Sequence, residues 1–249
     1  MTQAVVWRIL GNEMPPRDVE GGRMAVLRKI LDDEVVLKGA QRMWLLNRIL
    51  DDEYRTRTAS LLSDYEQPYV VIPFDKSLKP TVSAMRGPGV AINTARNTAI
   101  NLGHAIAPWS VVLDGDCFFE DESDWEEVSC AMEARQTDYI SIPHVRSGCT
   151  KLGEPMLAFH RNSKLRFDES LLFGDLDKLE LCFRLGHDTT PRSGHLKLES
   201  GATTKVVGKV VHYPTGPVEV EMQLEVREPA RLVSFQGLAD RLKAIQDKR

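Results

Sequence analysis

Short apolar runs alternate with amphipathic segments through the first 116 residues of this 249-residue chain, and few architectures accept that order. Val5 to Leu10, Tyr69 to Phe74 and Trp109 to Leu113 read as strands, rich in β-branched and aromatic residues and bounded by Gly, Pro or Asp. Met43 to Ile49 is an apolar run too short for periodicity to type, and it is read as a strand. Between these runs, residues 22 to 34, 53 to 65 and 91 to 104 carry the 3.6-residue apolar spacing of helices. Parallel neighbours need a crossover connection, so such alternation predicts a mostly parallel central sheet with helices on both faces, an α/β/α sandwich of Rossmann-like type.

The pattern loosens beyond residue 120. A helix is expected near 122 to 135, strands at Tyr139 to Ile142, Met156 to Phe159 and Val206 to Val211, and helices over 176 to 185 and 228 to 247. The loop from Lys76 to Gly89 is long enough to be a lid or part of a binding site, or simply surface. Length suits one continuous domain over 1–249, divided at residue 116 and again at residue 225, with a C-terminal helix from 226.

Composition narrows the classes of partner. A net charge of −4 argues against nucleic acid as the main partner. The four cysteines, Cys117, Cys130, Cys149 and Cys182, contain no C-x-x-C pair, so neither a zinc site nor a disulfide framework is indicated. No stretch approaches the roughly 18 apolar residues of a membrane span, and the start lacks the pattern of a secretory signal. A cytoplasmic location is therefore expected.

The strand Trp109 to Leu113 ends in Asp114-Gly115-Asp116. Carboxylates two residues apart on an extended segment face the same way and can serve one hard-cation site at the sheet's carboxyl edge. A polar turn after a core strand would look the same. Gly115 leaves the backbone open to close approach. Upstream stands Asn93-Thr94-Ala95-Arg96-Asn97 at the opening of a helix, and downstream stand Asp175, Asp177-Lys178 before Arg184-Leu185-Gly186, and His212 after Val210-Val211.

Together these segments resemble the nucleotide-sugar glycosyltransferases of the GT-A fold, over most of residues 4 to 215. The resemblance implies a metal-dependent transfer of sugar from a nucleotide-diphosphate sugar, most often a UDP-sugar, to a hydroxyl acceptor in glycan or glycoconjugate synthesis. It implies Mn²⁺ or Mg²⁺ on Asp116, Asp114 and His212, with Asp114 also meeting the nucleotide. Imidazole would favour Mn²⁺, whereas a satisfied core histidine is an equal reading of His212. Arg96 and Asn97 match the family's Arg-Asn pair, and Arg96 could reach a phosphate or brace the aspartates. Arg8, Gly11 and Asn12 are candidates to shape a nucleotide loop, or a plain structural turn. Asp177, then Asp175, are candidates for the general base of an inverting transfer, or caps of the next helix. The family commonly has two adjacent acids there, and Lys178 replaces the second.

Three rivals stand beside this reading. A haloacid-dehalogenase-type phosphatase would use Asp114 as nucleophile, but that motif normally lies near the N-terminus. A nucleotidyltransferase would need a glycine-rich first loop, and Gly11-Asn12-Glu13-Met14-Pro15 has one glycine. A protein that binds nucleotide sugar or glycan without turnover would still carry these residues.

Overall fold

The computed structural model describes residues 2–147, 153–174, 177–187, 204–216 and 224–248. Its first half follows the expected alternation: β1 (Ala4–Leu10), α1 (Gly22–Asp33), β2 (Ala40–Asn47), α2 (Asp52–Asp64), β3 (Tyr69–Ile72), a short α3 (Val82–Ala84) continued by a π-helical turn (Met85–Gly89), α4 (Ile92–Ile106) and β4 (Trp109–Asp114). The second half holds β5 (Cys117–Phe118), α5 (Glu122–Ala134), β6 (Tyr139–Ile142), β7 (His144–Arg146), β8 (Met156–His160), α6 (Leu179–Arg184), β9 (Thr204–Val206), β10 (Val210–His212) and α7 (Leu224–Gln246).

Seven strands form the main sheet in the order β3-β2-β1-β4-β8-β6-β9. β1 pairs in parallel with β2 and β4, β2 with β3 and β6 with β9, whereas β8 runs antiparallel to both β4 and β6. The sheet is thus mostly parallel, as the alternation implies. All seven residues of β1 are buried, and every one but Arg8 is apolar. Its side chains alternate between faces. Val5, Trp7 and Ile9 pack with Ala95, Ala99 and Ile100 of α4, and Ala4 and Val6 share a core with Trp125 and Val128 of α5. On the same side as α5, Trp44 and Leu46 meet Leu27 and Ile30 of α1 and Leu61 and Leu62 of α2. Phe235, Leu238 and Leu242 of α7 close over Met14, Phe74 and Met85.

Three elements differ from the sequence reading. The single late strand expected over Val206 to Val211 is two strands, because Gly208 turns the chain with φ +57°. The helix expected from residue 176 runs over Leu179–Arg184, and the terminal helix starts earlier, at Leu224. A second, three-stranded sheet, β5-β10-β7, was not expected at all. It positions the site, since β10 pairs antiparallel to β5 with His212 opposite Cys117, the residue after Asp116. Among the described residues, no helix is long and apolar enough to cross a membrane.

Candidate active site

β1, β2 and β4 all point the same way, so their carboxyl ends share one edge of the sheet, with Ile9 in register with Asp114. The acidic turn sits on that edge. A Cβ on Gly115 would lie 2.5 Å from the Ile9 carbonyl oxygen and 2.9 Å from Leu10 Cδ2. The close approach expected at Gly115 is therefore made by β1 itself. Gly115→Ala is expected to destabilise the fold by about 1–3 kcal/mol through overpacking. Urea unfolding measures this, and an unchanged midpoint would mean that the turn is not pressed against β1.

The two aspartates have different partners. Asp114 accepts from Arg96 Nη2 at 3.2 Å through Oδ1 and from Lys178 Nζ at 2.9 Å through Oδ2. Burial works against its charge, but Lys178 and Arg96 outweigh burial and hold Asp114 well below the usual carboxylate range. Asp116 is buried, and its Oδ2 lies 3.3 Å from His212 Nε2. Here too burial opposes ionisation, and the interaction with His212 brings the Asp116 pKa down to about 2. His144 stacks at a tilt on His212, ring centroids 5.4 Å apart. Burial, with Lys178 next, lowers the His144 pKa to about 4, so its ring is neutral near pH 7.

Arg96 is the hub. It is 4% exposed, and besides Asp114 it reaches Asp177 Oδ2 at 2.8 Å and Asn93 Oδ1 at 2.9 Å through Nη1. Asn93 donates in turn to the Asp177 and Asp168 carbonyl oxygens, both at 2.7 Å. The Gly174 amide donates to Asp177 Oδ1 at 3.1 Å. Asp177 thus stands beside the acidic turn, held through both carboxylate oxygens. Asp175 lies outside the described residues.

Several candidate residues have structural work instead. Arg8 is fully buried in the sheet, its Nη2 paired with Glu34, its Nε donating to the Cys117 carbonyl at 2.9 Å and its guanidinium over the Trp44 ring. It packs under α1 and does not face the sheet edge, because its side chain shares the face of Val6 and Leu10. Asn12 donates to the Arg48 carbonyl and accepts from the Leu50 amide, both at 2.8 Å, which ties the Gly11-Asn12 loop to the end of β2. Asn97 spans the Phe167 backbone in both directions and donates to Glu169 Oε1. Its amide is spent on holding the loop before α6. Sequence reasoning gave no role to Asn93, Glu154 or the Asp18–Arg23 pair, whose Arg23 lies close enough to Asp116 to favour its charge. Asn93 alone left a signal, a polar residue on the buried face of α4.

The metal-ligand set fits in part. Asp116 Oδ2 and His212 Nε2, 3.3 Å apart, are the members of the expected ligand set that the structure brings together. Asp114 does not join them, since each of its oxygens already receives a cation. Among the described residues no three His, Cys, Asp or Glu side chains gather into a metal-holding group. Asp114, Asp116 and His212 therefore do not form a three-ligand metal group.

A mostly parallel sheet with helices on both faces, a reversed strand inserted beside β4 and a small second sheet that delivers a histidine to the acidic turn make this a GT-A-type fold. The structure of Staphylococcus, S. aureus, TarS 1-349 in complex with UDP is similar over 95% of this chain and 69% of that one, at 9% identity and a TM-score of 0.50. Another S. aureus TarS structure is similar over 67% of this chain at 9% identity and a TM-score of 0.43, and the chain spans 30% of that structure. The mannosyltransferase PcManGT from Pyrobaculum calidifontis, in complex with GDP-Man and Mn²⁺, is similar over 98% of this chain and 74% of that one, at 10% identity and a TM-score of 0.46. No protein-family model matches the chain, and no curated protein matches it. At such identities the likeness is one of fold.

Proposed function

We propose that this chain is a glycosyltransferase that moves a sugar from a nucleotide-diphosphate sugar, a UDP-sugar first among them, to a hydroxyl acceptor. The observation that carries the reading is the Asp116–His212 pair, 3.3 Å apart at the carboxyl end of β4 in a GT-A-type fold. The UDP in the TarS 1-349 complex supports the choice of donor. In this reading the residues up to Asp116 bind the nucleotide and those beyond it the acceptor.

Asp116 and His212 would hold Mn²⁺ or Mg²⁺. Such an ion supplies Lewis-acid stabilisation of the diphosphate as the glycosidic bond breaks. The chain's own residues do the rest. Asp114, kept ionised by Arg96 and Lys178, presents acceptor oxygens to the nucleotide. Asp177, the first candidate for general base, is fixed in place by Arg96 and the Gly174 amide. It would take the proton of the acceptor hydroxyl as the new bond forms.

The phosphatase reading is less well supported, because Asp114 as nucleophile would have to break free of two cations. Binding without turnover is separated from transfer by measuring release of UDP from a UDP-sugar. Nucleoside diphosphates are screened by thermal shift with and without Mn²⁺. UDP with Mn²⁺ is expected to raise the apparent stability, by about 2.7 kcal/mol at a hundredfold excess over Kd. No shift with any nucleoside diphosphate, with or without metal, would sink the proposed function.

A further inference from the structure

Three carboxylates meet around Arg96 and Lys178, and they differ in how much of each is left for a substrate. Asp114 is held at both oxygens by Arg96 and Lys178, and Asp177 at both by Arg96 and the Gly174 amide. The third is Glu154. Its Oε2 lies 3.7 Å from Lys178 Nζ, which is itself 2.9 Å from Asp114 Oδ2, so one ammonium faces both acids. At 3.7 Å the contact is an ion pair without a hydrogen bond, and the lone pairs of Glu154 stay open. Its side chain is 46% exposed, against 15% for Asp177.

The backbone around Glu154 is fixed even though its carboxylate is open. The Gly153 amide donates to the His144 carbonyl at 2.8 Å, and the His144 ring meets the Glu154 carbonyl through Nδ1. Two residues on, Met156 begins β8, which runs antiparallel to β4 with Leu157 opposite Val112. The chain therefore enters β8 over the same edge at which β4 ends in the acidic turn.

We propose that Glu154, in place of Asp177, is the general base toward the acceptor. The inference rests on the transferase reading, for an inverting transfer, and revises its choice of base. A base must come within hydrogen-bond reach of the hydroxyl it deprotonates, which favours the more open carboxylate. As the acceptor oxygen bonds to the anomeric carbon, its proton passes to a Glu154 oxygen, and the electron pair of the breaking carbon–oxygen bond leaves with the diphosphate. Lys178 steers Glu154 by charge without filling its lone pairs. Asp177 is then a positioning residue that steadies Arg96 against Asp114.

Release of UDP from a UDP-sugar, with and without sodium azide, tests this. Azide attacks the anomeric carbon with no proton to lose, so it bypasses a missing base but not a distorted site. Glu154→Gln is expected to lower UDP release by about 10²–10⁴-fold while its thermal shift with UDP and Mn²⁺ stays that of the wild type. Azide should restore at least about tenfold of that loss, with glycosyl azide as the product. Asp177→Asn is expected to lose turnover that azide does not restore. Glu154→Ala serves if the Gln variant does not fold. Glu154→Gln turnover within tenfold of the wild type overturns the proposal, as does a loss that azide leaves uncorrected, or azide rescue of Asp177→Asn or Asp175→Asn instead. A wild type that releases no UDP from any UDP-sugar fails the transferase reading and this inference with it, whereas an active wild type matched by Glu154→Gln fails the inference alone.

Discussion

Asp116→Asn is expected to lower UDP-sugar turnover by about 10³-fold while leaving the protein folded. The substitution keeps the shape of the side chain and removes the charge facing His212 Nε2 at 3.3 Å. If the charge that develops on the leaving diphosphate is stabilised at this pair, its loss acts on the transition state, so kcat falls as well as affinity. Release of UDP measures the rate without knowledge of the acceptor, and circular dichroism verifies the fold. A rate within tenfold of the wild type would remove Asp116 from the chemistry. The same change at Asp114 should act differently, since its carboxylate is bound to Arg96 and Lys178 and those cations would be left without their partner.

The largest stability effect is expected away from the site. Glu34→Ala strands the Arg8 guanidinium, for both side chains have zero exposure and the pair lies beneath α1. Removing one partner of a buried ion pair typically costs about 3–5 kcal/mol, because the remaining charge is left without compensation. Burial already lowers the Arg8 pKa, with Glu34 working against that shift, so nothing else nearby neutralises Arg8 as closely. Chemical denaturation of the variant measures the loss. Replacing both partners by methionine should recover most of it, since an apolar pair of similar volume fills the space without desolvating charge. If Glu34→Ala unfolds at the wild-type midpoint, Arg8 is not held as described. Nucleotide affinity should be unaffected in the double variant, which separates a structural arginine from one that contacts the donor.

Much of the fold could be read from the chain because its central strands β1 and β4 are buried on both faces. β1 is apolar but for Arg8 and β4 but for Ser110 and its terminal Asp114, and the helix α4 before β4 keeps an apolar stripe. The second sheet could not be read so. Strands of two and three residues carry no period, and β5, β7 and β10 come together from positions up to 95 residues apart. The place of β8 between β4 and β6 follows from long-range pairing that no local pattern encodes.

The site was legible in its residue types and not in its pairings. Arg8 reads as a nucleotide candidate at the exit of the first strand, yet its partner lies 26 positions away at the end of α1. Asn97 has the right type to bind a ligand and spends its amide on the backbone at Phe167. Lys178 read as a departure from an acidic pattern, and only the fold brings it to Asp114, 64 positions upstream.

Two of the contacts between the α4–β4 unit and the segment leading into α6 run in opposite senses. Arg96, from the helix before the acidic turn, reaches forward to Asp177, while Lys178, from the later segment, reaches back to Asp114. Crossed in this way, they act as a rivet: neither segment can slide along the other without parting both pairs at once. Because Arg96 and Lys178 are almost wholly shielded from solvent, salt will loosen the rivet little. The span between the acidic turn and Asp177 is therefore a fixed gauge of the fold.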